Sequence, residues 1–146
     1  MTFDDFKKKE EESRTTMNLF YEFKGWKFNR SYENKVYDLK INEFKVDEKF
    51  RYAAYNDFLI EIVQDVLTLN KGWFYKDEID RIFYIINDAE LYAIKWHDFK
   101  KWFSNNWQII KLTPVISKQG WGLTFNIAIQ WIEIPNNLYT KFDLLS

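Results

Sequence analysis

"VYDLKINEFKVDEKF", residues 36–50, reads as two short strands joined by a tight turn. Asn42-Glu43 is a serviceable two-residue turn, because Asn tolerates the left-handed conformation, although Glu does so poorly. That register sets Ile41 against Phe44, Lys40 against Lys45, Leu39 against Val46 and Asp38 against Asp47. Alternation then assigns two faces. One carries Tyr37, Leu39, Ile41, Phe44, Val46 and Phe50, with Glu48 as the sole polar exception. The other carries Asp38, Lys40, Lys45, Asp47 and Lys49.

The apolar face is a core face. The opposite face holds two carboxylates in register, and like charges directly opposed on a hairpin are destabilising. Folding does not require that arrangement, whereas a divalent cation between the acids would relieve it. Hard cations such as Mg²⁺ bind through one or two carboxylates, water and substrate phosphate oxygens. Lys49 points the same way as Asp47, so it could orient an attacking water or stabilise charge developing on a phosphate. The plainer reading of the same residues is a solvated sheet face, where alternating charges are common.

The rest of the composition narrows the chemistry. The chain has 146 residues, the size of one domain, so 1–146 is read as a single unit. Its hydrophobic fraction is 47% and its aromatic fraction 21%, enough to bury a core without staples. The absence of cysteine removes disulfides, thiolate nucleophiles and cysteine zinc sites. A single histidine, His97, argues against a His-rich metal site or a Ser-His-Asp triad, and its place at a helix start suits capping or packing. Ser and Thr nucleophiles lack a base, and "KGW" and "QGWG" lack the spacing of a phosphate loop. A net charge of −1 argues against clamping polyanions by bulk charge, though a local basic patch can still exist. No apolar run reaches the roughly 18 residues of a membrane helix, and the polar N-terminal stretch is unlike a targeting signal. The expectation is a cytoplasmic protein with no membrane partner. Abundant Asn, Lys and Ile hint at an AT-rich genome such as that of a phage or mobile element.

Outward from the hairpin, residues 2–23 predict a leading helix, capped by Thr2, with Asp4 and Asp5 in its first turn and Phe3, Phe6, Met17 and Phe20 on its apolar side. "NDFLIEIV" is a third strand. "NKGWFYKDEIDR" is a turn with a short helical segment, and "RIFYIIN" and "LYAIKW" are strands around the turn "DAE". "HDFKKWFSNN" is a short amphipathic helix with Phe99, Trp102 and Phe103 on one side. "WQIIKL" and "LTFNIAIQWIEI" supply late strands about the loop "SKQGWG". Helix first, then strands with a helix across them, indicates a mixed α/β or α+β domain.

Asp38, eight residues, then Asp47-Glu48-Lys49 resembles the signature of the PD-(D/E)XK nuclease superfamily: an acid on one strand and acid-x-lysine on the next, after a leading helix. Glu43-Phe44-Lys45 has the same acid-x-lysine form, but Glu43 would sit in the turn instead of opposite Asp38. "FKGWKFNRSYENKVYDL", "YAAYNDFLIEI" and "GWFYKDEIDRIFYIINDAELYAIKWHDFKKWF" resemble the flanking blocks of small phage-type members, so the likeness spans about residues 20 to 130. Two departures are Tyr37, where a proline or small residue is usual, and Asp47, where Glu is commoner. The resemblance implies a restriction-endonuclease-like core and Mg²⁺ (or Mn²⁺) held by Asp38, Asp47 and the Glu48 carbonyl. It implies that Lys49 positions water.

The same resemblance makes Glu11, on the leading helix, an accessory metal ligand, against the plainer reading of residues 10–12 as a solvated charge run. Gln64 could reach a phosphate, and Lys45 and Arg51 could contact a nucleic-acid backbone. The aromatics of "GWFY" and "KQGWGLTF" could stack on unpaired bases or form core or a partner surface. The expected function is a Mg²⁺-dependent DNA endonuclease in phage or mobile-element recombination, repair or processing, such as junction resolution, on branched or single-stranded DNA and possibly as a homodimer. The alternative is a non-catalytic interaction domain of inhibitor or immunity type, for which dense aromatics are suited.

Overall fold

The computed structural model describes residues 2–32, 36–53, 55–119 and 122–144. Helix α1 (Phe3–Phe23) opens with the reciprocal capping box of Thr2 and Asp5, so the sequence signal for its start is realised. It closes at Gly25, whose φ of 72° lets the Trp26 amide reach back to the Tyr21 carbonyl and the Gly25 amide to that of Glu22, each at 3.0 Å. The buried stripe is Ser13, Met17 and Tyr21, spaced by four. Phe3 and Phe6 are instead exposed, because the helix extends past the sheet at its N-terminal end.

After the helix come β1 (Phe28–Arg30), β2 (Leu39–Ile41), β3 (Phe44–Arg51), β4 (Asp57–Asp65) and β5 (Asn70–Lys71). A 3-10 turn at Trp73–Tyr75 leads to β6 (Arg81–Ile86) and β7 (Glu90–Lys95). Helix α2 (Trp96–Asn106), β8 (Leu112–Gln119), β9 (Gly122–Gln130), two further 3-10 turns and β10 (Tyr139–Asp143) complete the order. These elements form a six-stranded sheet, β1-β2-β3-β6-β7-β10, and a four-stranded sheet, β5-β4-β9-β8. Every neighbouring pair is antiparallel except β3 and β6, which run parallel. The chain therefore leaves the large sheet after β3, contributes β4 and β5 to the small sheet, and returns beside β3. The class is α+β, as the order of elements implies.

The hairpin register matches the reading of residues 36–50 over three pairs, Leu39 with Val46, Lys40 with Lys45 and Ile41 with Phe44, about Asn42 at φ 53°, but Asp38 is not paired with Asp47: it precedes β2 and its amide donates to the Val46 carbonyl. The alternation stops at Leu39. Tyr37 packs into the core on the opposite face of the sheet, under the Lys45 ammonium, instead of beside Leu39. Phe44 is half exposed against Arg81.

Two expectations need correction. "WQIIKL" is not a strand: Trp107 caps α2, with its amide on the Phe103 carbonyl at 2.8 Å, and the chain turns through residue 110 before β8 begins at Leu112. "SKQGWG" is not simply a loop, since β8 and β9 pair from Leu112↔Ile129 to Gln119↔Gly122. Pro114 obscures that strand, and it is tolerated because β8 is an edge strand. β9 also ends at Gln130, and Trp131–Glu133 coil into a 3-10 turn.

Both faces of the large sheet are covered. On one, Met17 and Tyr21 of α1 pack with Leu39, Ile41, Val46, Phe83, Ile85 and Leu91. On the other, Ile82, Tyr84, Tyr92 and Ile94 meet Phe58, Ile60, Ile127 and Ile129 of the small sheet and Trp96 and Phe99 of α2. Trp131 stacks on Tyr92 with centroids 3.7 Å apart, and on Phe58 at 5.3 Å. Replacing Gly25 with Ala adds no clash, because a Cβ there meets open space, but it forces a left-handed φ on a residue that resists it. Urea unfolding of Gly25→Ala is expected to show a loss of about 1 kcal/mol with an unchanged m-value.

Candidate active site

The centre of the site is β3, where Asp47 and Glu48 are both buried, 2% and 4% exposed, on opposite faces of the sheet. Glu48, the exception on the apolar face, meets a fixed set of donors. Arg30 of β1 reaches it through two nitrogens at 2.6 and 3.1 Å, and the Tyr21 hydroxyl donates to it at 2.7 Å. Arg30 is held in turn by the Asn18 side chain at 2.7 Å and the Arg14 carbonyl at 3.3 Å. Burial and the Glu48 charge push the Tyr21 phenol well above its ordinary pKa, so it remains a donor.

Asp47 faces the second core. Two lysines share its Oδ2: Lys76, at 3.1 Å, and Lys49, at 3.4 Å. The Lys49 ammonium also lies 5.2 Å from the Trp73 ring centroid. Lys76 arrives from the 3-10 turn after β5, and its carbonyl accepts from Trp96 Nε1 and Lys100 Nζ, each at 3.0 Å. The turn begins at Gly72, where a Cβ would lie 2.3 Å from the Glu61 carbonyl oxygen, so only glycine allows it to pack this closely on β4.

Asp38 lies just before β2. Its amide donates to the Val46 carbonyl at 3.0 Å, and its Oδ2 accepts from the Glu48 amide at 2.8 Å. Within β3, residues 45 and 51 accept from Asp80 and Asn87 on the β6 side, so alternation turns the main chain of Val46 and Glu48 toward β2. The Glu48 carbonyl therefore faces the edge that Asp38 occupies. Burial first, and the Asp47 charge second, raise the Asp38 carboxyl to about 6, against the lowering effects of the Glu48 amide and Lys49.

A cavity of about 300 Å³ opens beside this group. Glu10 and Arg14 of α1, Asp38, Lys49 and Arg51, Glu61 of β4, and Trp73 line it. Asp47 is not among its lining residues; it sits behind Lys49 and Lys76. Among the described residues, no group of three or more acids or histidines is arranged to hold a metal ion.

The other sequence candidates lie as follows. Glu11 is exposed on α1, and the helix presents Glu10 to the cavity in its place, paired with Arg14 at 2.8 Å. Gln64 is exposed on β4 and does not line the cavity. Arg51 does, but its guanidinium is bound to Asp57. The Lys45 amide donates to Asp80 at 2.9 Å, and its ammonium lies over Tyr37. His97 is in the first turn of α2, exposed, 3.9 Å from Asp80, and outside the site. Trp121 of "KQGWGLTF" lies outside the described residues.

The sequence reading missed Lys76, Glu10, Arg14 and Glu61. Nothing local signals them, since they arrive through the parallel crossover and the helix. Arg30 did have a signal: a lone glutamate on an apolar strand face needs a buried cation.

No family model, curated protein or solved structure matches the chain in comparison with known proteins. Among the described residues, no helix is long and apolar enough to cross a membrane.

Two outcomes are expected. Arg30→Met leaves Glu48 buried without its main partner and should cost about 3–5 kcal/mol in chemical unfolding, whereas Arg30→Met with Glu48→Leu should recover most of that loss. A carboxyl whose folded pKa is raised binds its proton more tightly when folded. Asp38 therefore removes stability as pH rises from its unfolded value of 3.8 through about 6. Asp38→Asn should flatten that part of a melting-temperature profile recorded in EDTA, with the largest gain over the parent above pH 6.

Proposed function

We propose that this chain is a metal-dependent phosphodiesterase acting on DNA, with a PD-(D/E)XK-type site at Asp38, Asp47 and Lys49. The observation that carries the reading is the Asp38 carboxyl, raised to about 6 by burial and by Asp47. Asp38 lines a polar cavity and is repelled by the charge of Asp47, whose own carboxylate already meets Lys49 and Lys76. Asp38, Asp47 and the Glu48 carbonyl would hold Mg²⁺ or Mn²⁺. The ion, when bound, would activate water and polarise the scissile phosphate. Lys49, fixed between Asp47 and the Trp73 ring, would orient that water. A homodimeric endonuclease of phage or mobile-element DNA processing, in the host cytoplasm, is the finer form of this proposal.

Lys76 qualifies the geometry. It occupies Asp47 at 3.1 Å, so a cation entering there has to displace an ammonium. The Lys76 side chain is 36% exposed, against 26% for Lys49, and Lys49 is additionally held over Trp73. Lys76 is therefore the group that would leave.

That neutralisation also favours the second reading, a non-catalytic domain of inhibitor or immunity type, because Asp47 is already compensated without an ion. Metal titration separates the two. On the nuclease reading, millimolar Mg²⁺ or Mn²⁺ raises the melting temperature at pH 8, and the effect fades below pH 6 as Asp38 takes its proton. Lys76→Ala should tighten metal binding. Cleavage assayed on single strands, duplexes, flaps and four-way junctions should require metal and vanish in Asp47→Asn and Lys49→Ala, with both variants still folded by circular dichroism. Cleavage that persists in both variants, or a melting temperature indifferent to either metal with every substrate intact, would remove the nuclease assignment.

A further inference from the structure

Trp73 lines the cavity beside Lys49, whereas the next two residues line a second depression. This groove, about 560 Å³, lies between α2 and the small sheet, and its walls include Phe74, Tyr75, Phe103, Trp107 and Phe125. Two of its rings are half open to solvent, Tyr75 at 48% and Trp107 at 51%. An adjoining depression of about 320 Å³ shares Phe74, Tyr75 and Ser104 and adds Lys71, Asp77, Lys100 and Lys101. The Lys71 ammonium lies 5.5 Å from the Tyr75 ring centroid. Lys71 and Lys101 are exposed, and the nearby acid Asp77 is paired with Lys100.

We propose that this groove binds the unpaired bases of a single-stranded nucleic acid, with Tyr75 and Trp107 as stacking faces and Lys71 and Lys101 on the backbone phosphates. Base faces stack on aromatic rings whatever their sequence, and cations beside those rings track the phosphates. A purely apolar partner would leave the two exposed ammoniums without a counter-charge, whereas a nucleic-acid strand uses both features at once. The overall charge of −1 means that attraction has to be local, and here the cations are concentrated on one edge of an aromatic surface. The groove is also linked to the candidate active site along the chain, since Lys76 follows Tyr75 and contacts Asp47. The inference deepens the nuclease reading by naming a substrate class, an unpaired strand, and rests on that reading for its biological sense.

Binding is measured in EDTA, so that cleavage plays no part, by fluorescence anisotropy of a labelled oligothymidylate of about 12 nucleotides. The full chain should bind it more tightly than a duplex of equal length. Tyr75→Ala and Trp107→Ala should each weaken binding about tenfold, Trp107→Phe should retain most of it, and Lys71→Glu or Lys101→Glu should flatten its salt dependence. Both lysines and much of both rings face solvent, so all five variants are expected to melt near the parent. No binding, binding unaffected by the ring and lysine variants, or an equal preference for duplex would overturn the proposal. Metal-dependent cleavage of duplex with an inert groove would leave the active-site reading intact, and groove binding without cleavage would leave the groove and remove the nuclease.

Discussion

Two consecutive carboxylates buried on opposite faces of one central strand are the constraint around which this fold is arranged. β3 lies between β2 and β6, and side chains cover the sheet on both sides. A charge in such a place costs several kcal/mol unless cations and donors surround it. Glu48 recruits Arg30 from β1 and Tyr21 from α1, and Asp47 recruits Lys49 from its own strand and Lys76 from the returning crossover. The leading helix, the first edge strand and the turn after β5 are thus each tied to β3 by a charge that would otherwise be stranded.

What the sequence makes legible follows the range of the interactions. The β2–β3 hairpin, the β6–β7 hairpin and the cap of α1 depend on residues a few positions apart, so alternation, the left-handed Asn42 and the Thr2–Asp5 box all point the same way. The parallel pairing of β3 with β6 does not, because residues 52–80, which include β4 and β5 of the other sheet, intervene. Lys76 is invisible for that reason. The helix was legible as a helix and its face only in part: Met17 and Phe20 do pack on the core, but Phe3 and Phe6 are exposed, and the buried stripe passes instead through Ser13, whose hydroxyl lies 2.6 Å from that of Tyr52. The acids of the candidate site were visible as a pair. Their surroundings were not, and those surroundings decide their chemistry.

Arg51 illustrates the difference between a residue type and its position. A basic residue beside an acid-x-lysine motif invites a phosphate contact. In the fold it bridges to Asp57 at the start of β4 and approaches the Tyr84 hydroxyl at 3.5 Å, so it joins the two sheets at one wall of the cavity. Its charge still contributes to the field in that cavity, alongside Arg14 and Lys49, and offsets the acids Glu10 and Glu61 across from them.

The state of the carboxylate pair can be argued from what each acid already possesses. Asp47 has two ammoniums within 3.4 Å, whereas Asp38 has one amide donor and faces the charge of its neighbour. The deficit thus resides on Asp38, and it can be met in two ways: by a proton, which its raised pKa supplies below about 6, or by a cation. Above that pH the folded carboxylate is charged beside Asp47, and this repulsion is the stress in the arrangement. Lys76 moderates that stress without removing it, because its ammonium sits on the far partner of the pair. A lysine so placed, partly exposed at its tip and fixed by its carbonyl to Trp96 and Lys100, holds Asp47 in position, while Asp38 depends on the Glu48 amide at 2.8 Å.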